Sequence, residues 1–165
     1  MKLDAFNRLD AEAARAAVRP CVDIDRWVDA VVAGRPYTTS EELLETARTS
    51  AAPWTPAEID GALAHHPRIG ERAGGGGAEA SLSRSEQAGI GIPSADVAAA
   101  LAAGNRAYEE KFSRVFLIRA AGRTADEILD ALGERLAHTE EEEIPVVAEQ
   151  LRQIAVLRLE GIIDS

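Results

Sequence analysis

The sequence predicts an all-α fold, a single-domain bundle of about seven to nine helices. Three observations carry that prediction. Apolar residues recur at helical spacing along nearly the whole chain, helix-start chemistry recurs ahead of most such stretches, and no two segments have the alternation and turn residues of a β-hairpin. A length of 165 residues suits one domain over 1–165 with one core.

Taken in order, Asp10 caps a segment that runs through Val18 and ends at Pro20. Ile24, Trp27, Val28, Val31 and Val32 form the apolar stripe of the next helix, closed by Gly34 and the Arg35-Pro36 turn. Thr39 and Glu42 have capping-box spacing for a helix over 40–51. Thr55 as N-cap, Pro56 at the first helical position and Glu58 three residues after the cap open a helix to about Ala64. Pro67 then pushes His66 out of the helical region. Residues 73–80 (Ala-Gly-Gly-Gly-Gly-Ala-Glu-Ala) predict a flexible loop, with Gly74 to Gly77 dividing the chain into two layers rather than two domains. A short helix over 81–89 ends at Gly89-Ile90-Gly91-Ile92-Pro93, and Ser94 caps a long helix whose apolar face is Val97, Leu101, Tyr108 and Phe112. Val115-Phe116-Leu117-Ile118 fits either a buried extended stretch or a helical turn. Thr124 and Glu127 form another capping box for a helix to about His138. The last helix covers roughly 140–162, with Pro145 either kinking it or marking its first turn.

Composition narrows the function. The formal charge of −10 repels phosphate backbones, so no nucleic-acid partner is expected. No apolar run approaches the roughly 20 residues of a membrane span, and Met1-Lys2-Leu3-Asp4-Ala5-Phe6 is no signal peptide, so a cytoplasmic protein without membrane contact is expected. The single cysteine, Cys21, excludes an internal disulfide and a thiolate-rich zinc site. His65 and His66 point about 100° apart on a helix and no His-Glu-x-x-His pattern occurs, so no metal site is expected.

Four segments carry polar groups that burial patterning leaves unexplained. In His65-His66-Pro67-Arg68-Ile69-Gly70-Glu71 a rigid turn fixes the His66 imidazole at a helix end, which suits an acid/base and equally a C-cap histidine before a loop. Ser83, Glu86 and Gln87 share one helical face, suited to a ligand rich in N–H and C=O groups or simply to a solvated first turn. Asn105 falls on the Leu101–Tyr108–Phe112 face, where a buried amide must be hydrogen-bonded, and Tyr108 and Phe112 read as core. Arg158 occupies an apolar position in the stripe Val147, Leu151, Ile154, so its guanidinium either snorkels out or meets an anion, a ligand's or an ion-pair partner's. Glu140 to Glu143 reads as a solvated helix start rather than a site.

Together, His66-Pro67-Arg68-Ile69-Gly70, Ser83-x-x-Glu86-Gln87, Asn105-x-x-Tyr108-x-x-Lys111-Phe112 and Arg158-Leu159 resemble the OHCU decarboxylases, enzymes of 2-oxo-4-hydroxy-4-carboxy-5-ureidoimidazoline. The likeness extends to Trp27, Arg35-Pro36 and Thr124-x-x-Glu127-Ile128-Leu129, in order along the chain. The resemblance implies an all-helical homodimer with no cofactor and a small ureide substrate. It implies loss of CO2 from OHCU to give (S)-allantoin, the last step of urate breakdown to allantoin. It implies His66 and Glu86 as catalytic residues, with Pro67, Ser83, Gln87, Phe112, Arg158 and the backbone from Ile118 to Gly122 contacting substrate. A non-catalytic acidic helical module that binds a ureide or a partner protein is the alternative of another class, and a metal-dependent hydrolase a third.

Overall fold

The computed structural model describes residues 1–71 and 76–164. Among these, nine α-helices and one short 3-10 helix form, and no strand does. They are α1 (Leu3–Arg8), α2 (Ala11–Val18), α3 (Asp25–Ala33), α4 (Ser40–Thr49), α5 (Pro56–Leu63), α6 (Ala78–Ala88), α7 (Ala95–Phe112), α8 (Ala125–Leu136) and α9 (Glu140–Asp164).

The side-chain caps legible in the sequence are made. Asp10 accepts from the Ala13 amide at 2.8 Å, Ser94 from Val97 at 3.3 Å, and Thr124 and Glu127 complete a reciprocal box. Thr55 and Glu58 do the same, at 3.2 and 2.9 Å. At α4 the box is displaced by one residue: Thr39 accepts from the Glu42 amide, but the Glu42 carboxylate takes the amide of Thr38. The sequence gives no sign of α1, because Lys2 stands where a capping side chain would and supplies none. Pro145 lies inside α9, whose start is capped by the Thr139 hydroxyl on the Glu142 amide, so Pro145 does not mark the first turn. The 73–80 loop is corrected in part: α6 already begins at Ala78, while Ala73, Gly74 and Gly75 lie outside the described residues.

The chain divides into two compact units, Met1–Ala62 with Leu151–Ser165, and Leu63–Gln150, so the boundaries do not fall at the glycine run. In the first unit, Phe6, Val18, Trp27, Val28, Val31, Leu43 and Ala47 are fully buried. The indole N–H of Trp27 donates to the Ala47 carbonyl at 2.9 Å, and Arg152 donates to the carbonyls of Ala47 and Ser50 at 3.0 and 2.9 Å, satisfying the end of α4. Arg35 ties the α1 end through the carbonyls of Phe6 and Leu9. Gly34 is required by close approach: a Cβ there would overlap the Tyr37 ring, whose hydroxyl donates to Val31 at 2.7 Å. Arg26 forks onto Glu58 at 2.7 and 3.0 Å, and this pairing holds the Glu58 carboxyl down at about 2.

In the second unit α7 packs on α8 around Leu101, Tyr108, Phe112, Phe116, Ile118, Ile128 and Leu132. Gly104 sits at the crossing, where a Cβ would run into the Leu132 side chain. Residues 115–118 are neither helix nor strand, yet Phe116, Leu117 and Ile118 are buried, which resolves the ambiguity in favour of a non-helical core segment.

Candidate active site

Residues 66–71 follow α5 as a turn that the second unit grips from two helices. Gly70 has φ +91°, a conformation that a side chain at this position would strain. From α6, Gln87 accepts the Gly70 amide at 3.1 Å and donates to the Arg68 carbonyl at 3.3 Å. From α7, Asn105 donates to the Ile69 carbonyl at 3.0 Å, and Glu109 takes the Arg68 guanidinium at 2.5 and 3.1 Å. Asn105 thus has the buried, bonded amide its position on the helix demands. Its Oδ1 has no hydrogen-bond partner among the described residues, and Asn105 lines a cavity of about 1080 Å³ with Ile69, Gly70, Gln87 and Leu101. His66, Ser83 and Glu86 do not line that cavity.

His66 is buried, its side chain 4% exposed, with Nε2 3.8 Å from Glu79 Oε1. Glu79 is a residue that sequence reasoning missed. Glu79, Ser83 and Glu86 stand at i, i+4 and i+7 of α6, one helical stripe, but placing 73–80 in a loop removed Glu79 from it. Ser83 is buried on that stripe.

Phe112 closes α7, its ring 4.6 Å from that of Tyr108, with the Lys111 ammonium 5.2 Å from its centroid. Ile118 lies in the buried 115–118 segment, whose neighbouring backbone is held by side chains: Arg135 takes the Leu117 carbonyl at 2.5 Å and Gln150 the Arg119 amide at 2.9 Å. The amides of Ile118 and Ala120 make no hydrogen bond among the described residues. Arg158 belongs to the first unit; it is 3% exposed and donates to the Pro20 carbonyl at 3.0 Å.

The reading of Glu140 to Glu143 as a solvated face is corrected at Glu143, which is fully buried. Its Oε1 accepts from Tyr108 Oη at 2.7 Å and from Arg135 Nε at 2.6 Å, and its Oε2 meets His138 Nδ1 at 2.9 Å. Burial raises the Tyr108 hydroxyl's pKa, and its bond to Glu143 raises it further. A run of four glutamates hides the one whose partners Tyr108 and Arg135 lie on α7 and α8, with His138 just beyond α8.

Two comparisons bear on the family. The OHCU decarboxylase family model matches residues 7–160. The chain is also 33% identical over 137 residues to a 2-oxo-4-hydroxy-4-carboxy-5-ureidoimidazoline decarboxylase of Amia calva, covering 82% of this chain and 78% of that protein. The chain belongs to the OHCU decarboxylase family. Solved structures agree on the fold. A crystal structure of OHCU decarboxylase in the presence of (S)-allantoin, 24% identical, matches with a TM-score of 0.71 over 95% of this chain and 100% of that one. A crystal structure of (S)-allantoin synthase, 18% identical, matches with a TM-score of 0.74 over 100% of this chain and 55% of that one. Within this OHCU decarboxylase-family chain, no group of three or more His, Cys, Asp or Glu placed to hold a metal occurs among the described residues. No helix among them is long and apolar enough to cross a membrane.

Proposed function

We propose that this protein decarboxylates OHCU to (S)-allantoin and CO2, the final step of urate degradation to allantoin, and that it does so in the cytoplasm, as a homodimer, without a cofactor. Membership of the family supports the reaction. The observation that carries it to particular residues is the Gln87 brace, which joins the His66–Gly70 turn and the Ser83–Glu86–Gln87 helix into one rigid piece.

The chemistry needs an electron sink, a base and a facial proton donor. When the C4–carboxylate bond breaks, its electron pair forms a C4–C5 double bond and the adjacent ring imine nitrogen takes up the charge and a proton. The substrate carries its own sink. What remains for the protein is to remove the proton of the 4-hydroxyl and to protonate C5 on one face, leaving the C4 carbonyl of allantoin. His66, held in a rigid turn and nearly free of solvent, takes the hydroxyl proton and returns one to C5. Glu79, 3.8 Å from Nε2, stabilises the imidazolium so formed. Glu86, on the same stripe, holds the ureido N–H groups.

Ser83, Pro67 and Phe112 contact the substrate ring in this reading. Gln87 spends one donor and one acceptor on the turn, which leaves its second N–H and second lone pair for the ureide. The amides of Ile118 and Ala120, which make no hydrogen bond among the described residues, are suited to the ring carbonyl.

The experiment generates OHCU from urate with uricase and hydroxyisourate hydrolase and follows circular dichroism on adding this protein. The expected result is rapid decay to dextrorotatory (S)-allantoin, slowed by roughly 10²–10⁴ in His66→Ala. Decay no faster than the spontaneous route to racemic allantoin would overturn the reading.

A further inference from the structure

The 115–122 segment supplies the proposed site with backbone groups, yet it has no helix or strand ladder to fix it. Backbone without a ladder is only as well placed as the side chains that hold it. Three side chains bond the centre of this segment, Arg135 at the Leu117 carbonyl, Gln150 at the Arg119 amide and Arg123 at the Arg119 carbonyl, so that Ile118 is flanked on either side.

Arg135 is built for the task. It is buried, and its planar fork meets three directions at once. Nε and Nη2 point to Glu143 Oε1 at 2.6 and 2.5 Å, Nη1 to the Leu117 carbonyl at 2.5 Å, and Nη2 to Tyr108 Oη at 3.5 Å. The guanidinium also lies 4.6 Å from the centroid of Phe116, the neighbour of Leu117. Glu143 is aligned in turn by Tyr108 and His138. The guanidinium is therefore held through Nε, Nη1 and Nη2, and the carbonyl it grips is held with it. Charge neutrality alone would be met by any cation opposite Glu143; only the fork also reaches Leu117.

We infer that Arg135, oriented by Glu143, is a positioning residue of the site, setting through the Leu117 carbonyl where the Ile118 amide is presented to substrate. The inference rests on the proposed reaction for its functional consequence, while the placement of the segment is testable without it. A displacement on the order of 1 Å in a group that meets the reacting ring costs up to about 10²-fold in rate.

The test compares wild type with Arg135→Lys, which keeps the charge and loses the fork, and with Gly34→Ala, which destabilises the first unit without touching this segment. Two readouts are taken on each: kcat/KM for OHCU per folded molecule, and amide hydrogen exchange at residues 116–120. Arg135→Lys is expected to lose at least about tenfold in kcat/KM and to exchange faster at Arg119, whose amide donates to Gln150, with Gly34→Ala changed in neither. If Arg135→Lys does not fold, Gln150→Met, a change at a half-buried position outside the ion pair, releases the same segment at Arg119 and is expected to act the same way. Unchanged kcat/KM with unchanged exchange overturns the inference, as does a loss that Gly34→Ala reproduces. Should wild type not turn over OHCU, the proposed function fails, and the exchange readout alone decides whether Arg135 fixes the segment.

Discussion

Removing one member of the Arg135–Glu143 pair should cost far more than half of what removing both costs. Glu143 is fully buried, and its carboxylate is surrounded by Tyr108 Oη, Arg135 and His138 at 2.5 to 2.9 Å. In Glu143→Leu the guanidinium stays buried with no counter-ion, and in Arg135→Met the buried carboxylate keeps only His138 and the Tyr108 hydroxyl; each is expected to lose about 3–5 kcal/mol. Independent effects would sum to about 6–10 kcal/mol. The double variant removes both charges together, and what it leaves unmet is the Leu117 carbonyl and the Tyr108 hydroxyl, about 1–3 kcal/mol each. Its expected cost is therefore about 2–6 kcal/mol, comparable to one single variant and well below the sum. Urea unfolding followed by far-UV circular dichroism on all four proteins closes the cycle. Equality of the double-variant cost with the sum of the singles would refute the pairing, and so would a single-variant cost below about 1 kcal/mol.

Glu79→Gln should lower kcat by roughly tenfold or more with little change in KM, because the carboxylate acts on an imidazolium that exists only after proton transfer; steady-state kinetics on OHCU would contradict this by a KM effect alone. Glu58, held at about 2 from an ordinary 4.5, stabilises the fold above that ordinary value and loses the contribution as pH falls from about 4.5 towards 2. The stability gap between wild type and Glu58→Gln should accordingly be constant at neutral pH and shrink through that window; a gap that widens on acidification would reverse the sign. Gly34→Ala should lose about 1–3 kcal/mol in thermal or urea unfolding, since its Cβ overlaps the Tyr37 ring; an unchanged midpoint would mean that the ring moves aside at no cost.

What was legible in the sequence was local. A cap is decided by residues within one turn, so Asp10, Thr55, Ser94 and Thr124 announce their helices without reference to anything distant. Helix α1 has no such residue, and its presence is decided by the burial of Phe6, which no local rule encodes. The glycine run drew the loop boundary three residues too far, because backbone propensity was weighed where the helix of Glu79, Ser83 and Glu86 prevails; the carboxylate beside His66 was lost with it. Glu143 fails for the opposite reason. The dipole argument holds for its neighbours at the start of α9, but which glutamate of four turns inward depends on Tyr108 and Arg135, and those are brought to it only by the fold. The turn at His66–Gly70 was recognisable as rigid from Pro67 and Gly70, whereas the two helices that grip it were not.

The crossing of α7 and α8 has an evolutionary corollary. Leu132 fills the room that a side chain at position 104 would need. Enlarging position 104 alone overpacks the contact, and trimming position 132 alone leaves a void, so either first step passes through a chain weaker by about 1–5 kcal/mol. Neither residue is among those of the candidate site, yet the two are heritable as a pair. A lineage that keeps glycine at 104 is expected to keep a large aliphatic residue at 132, held there by the cost of the intermediate rather than by catalysis.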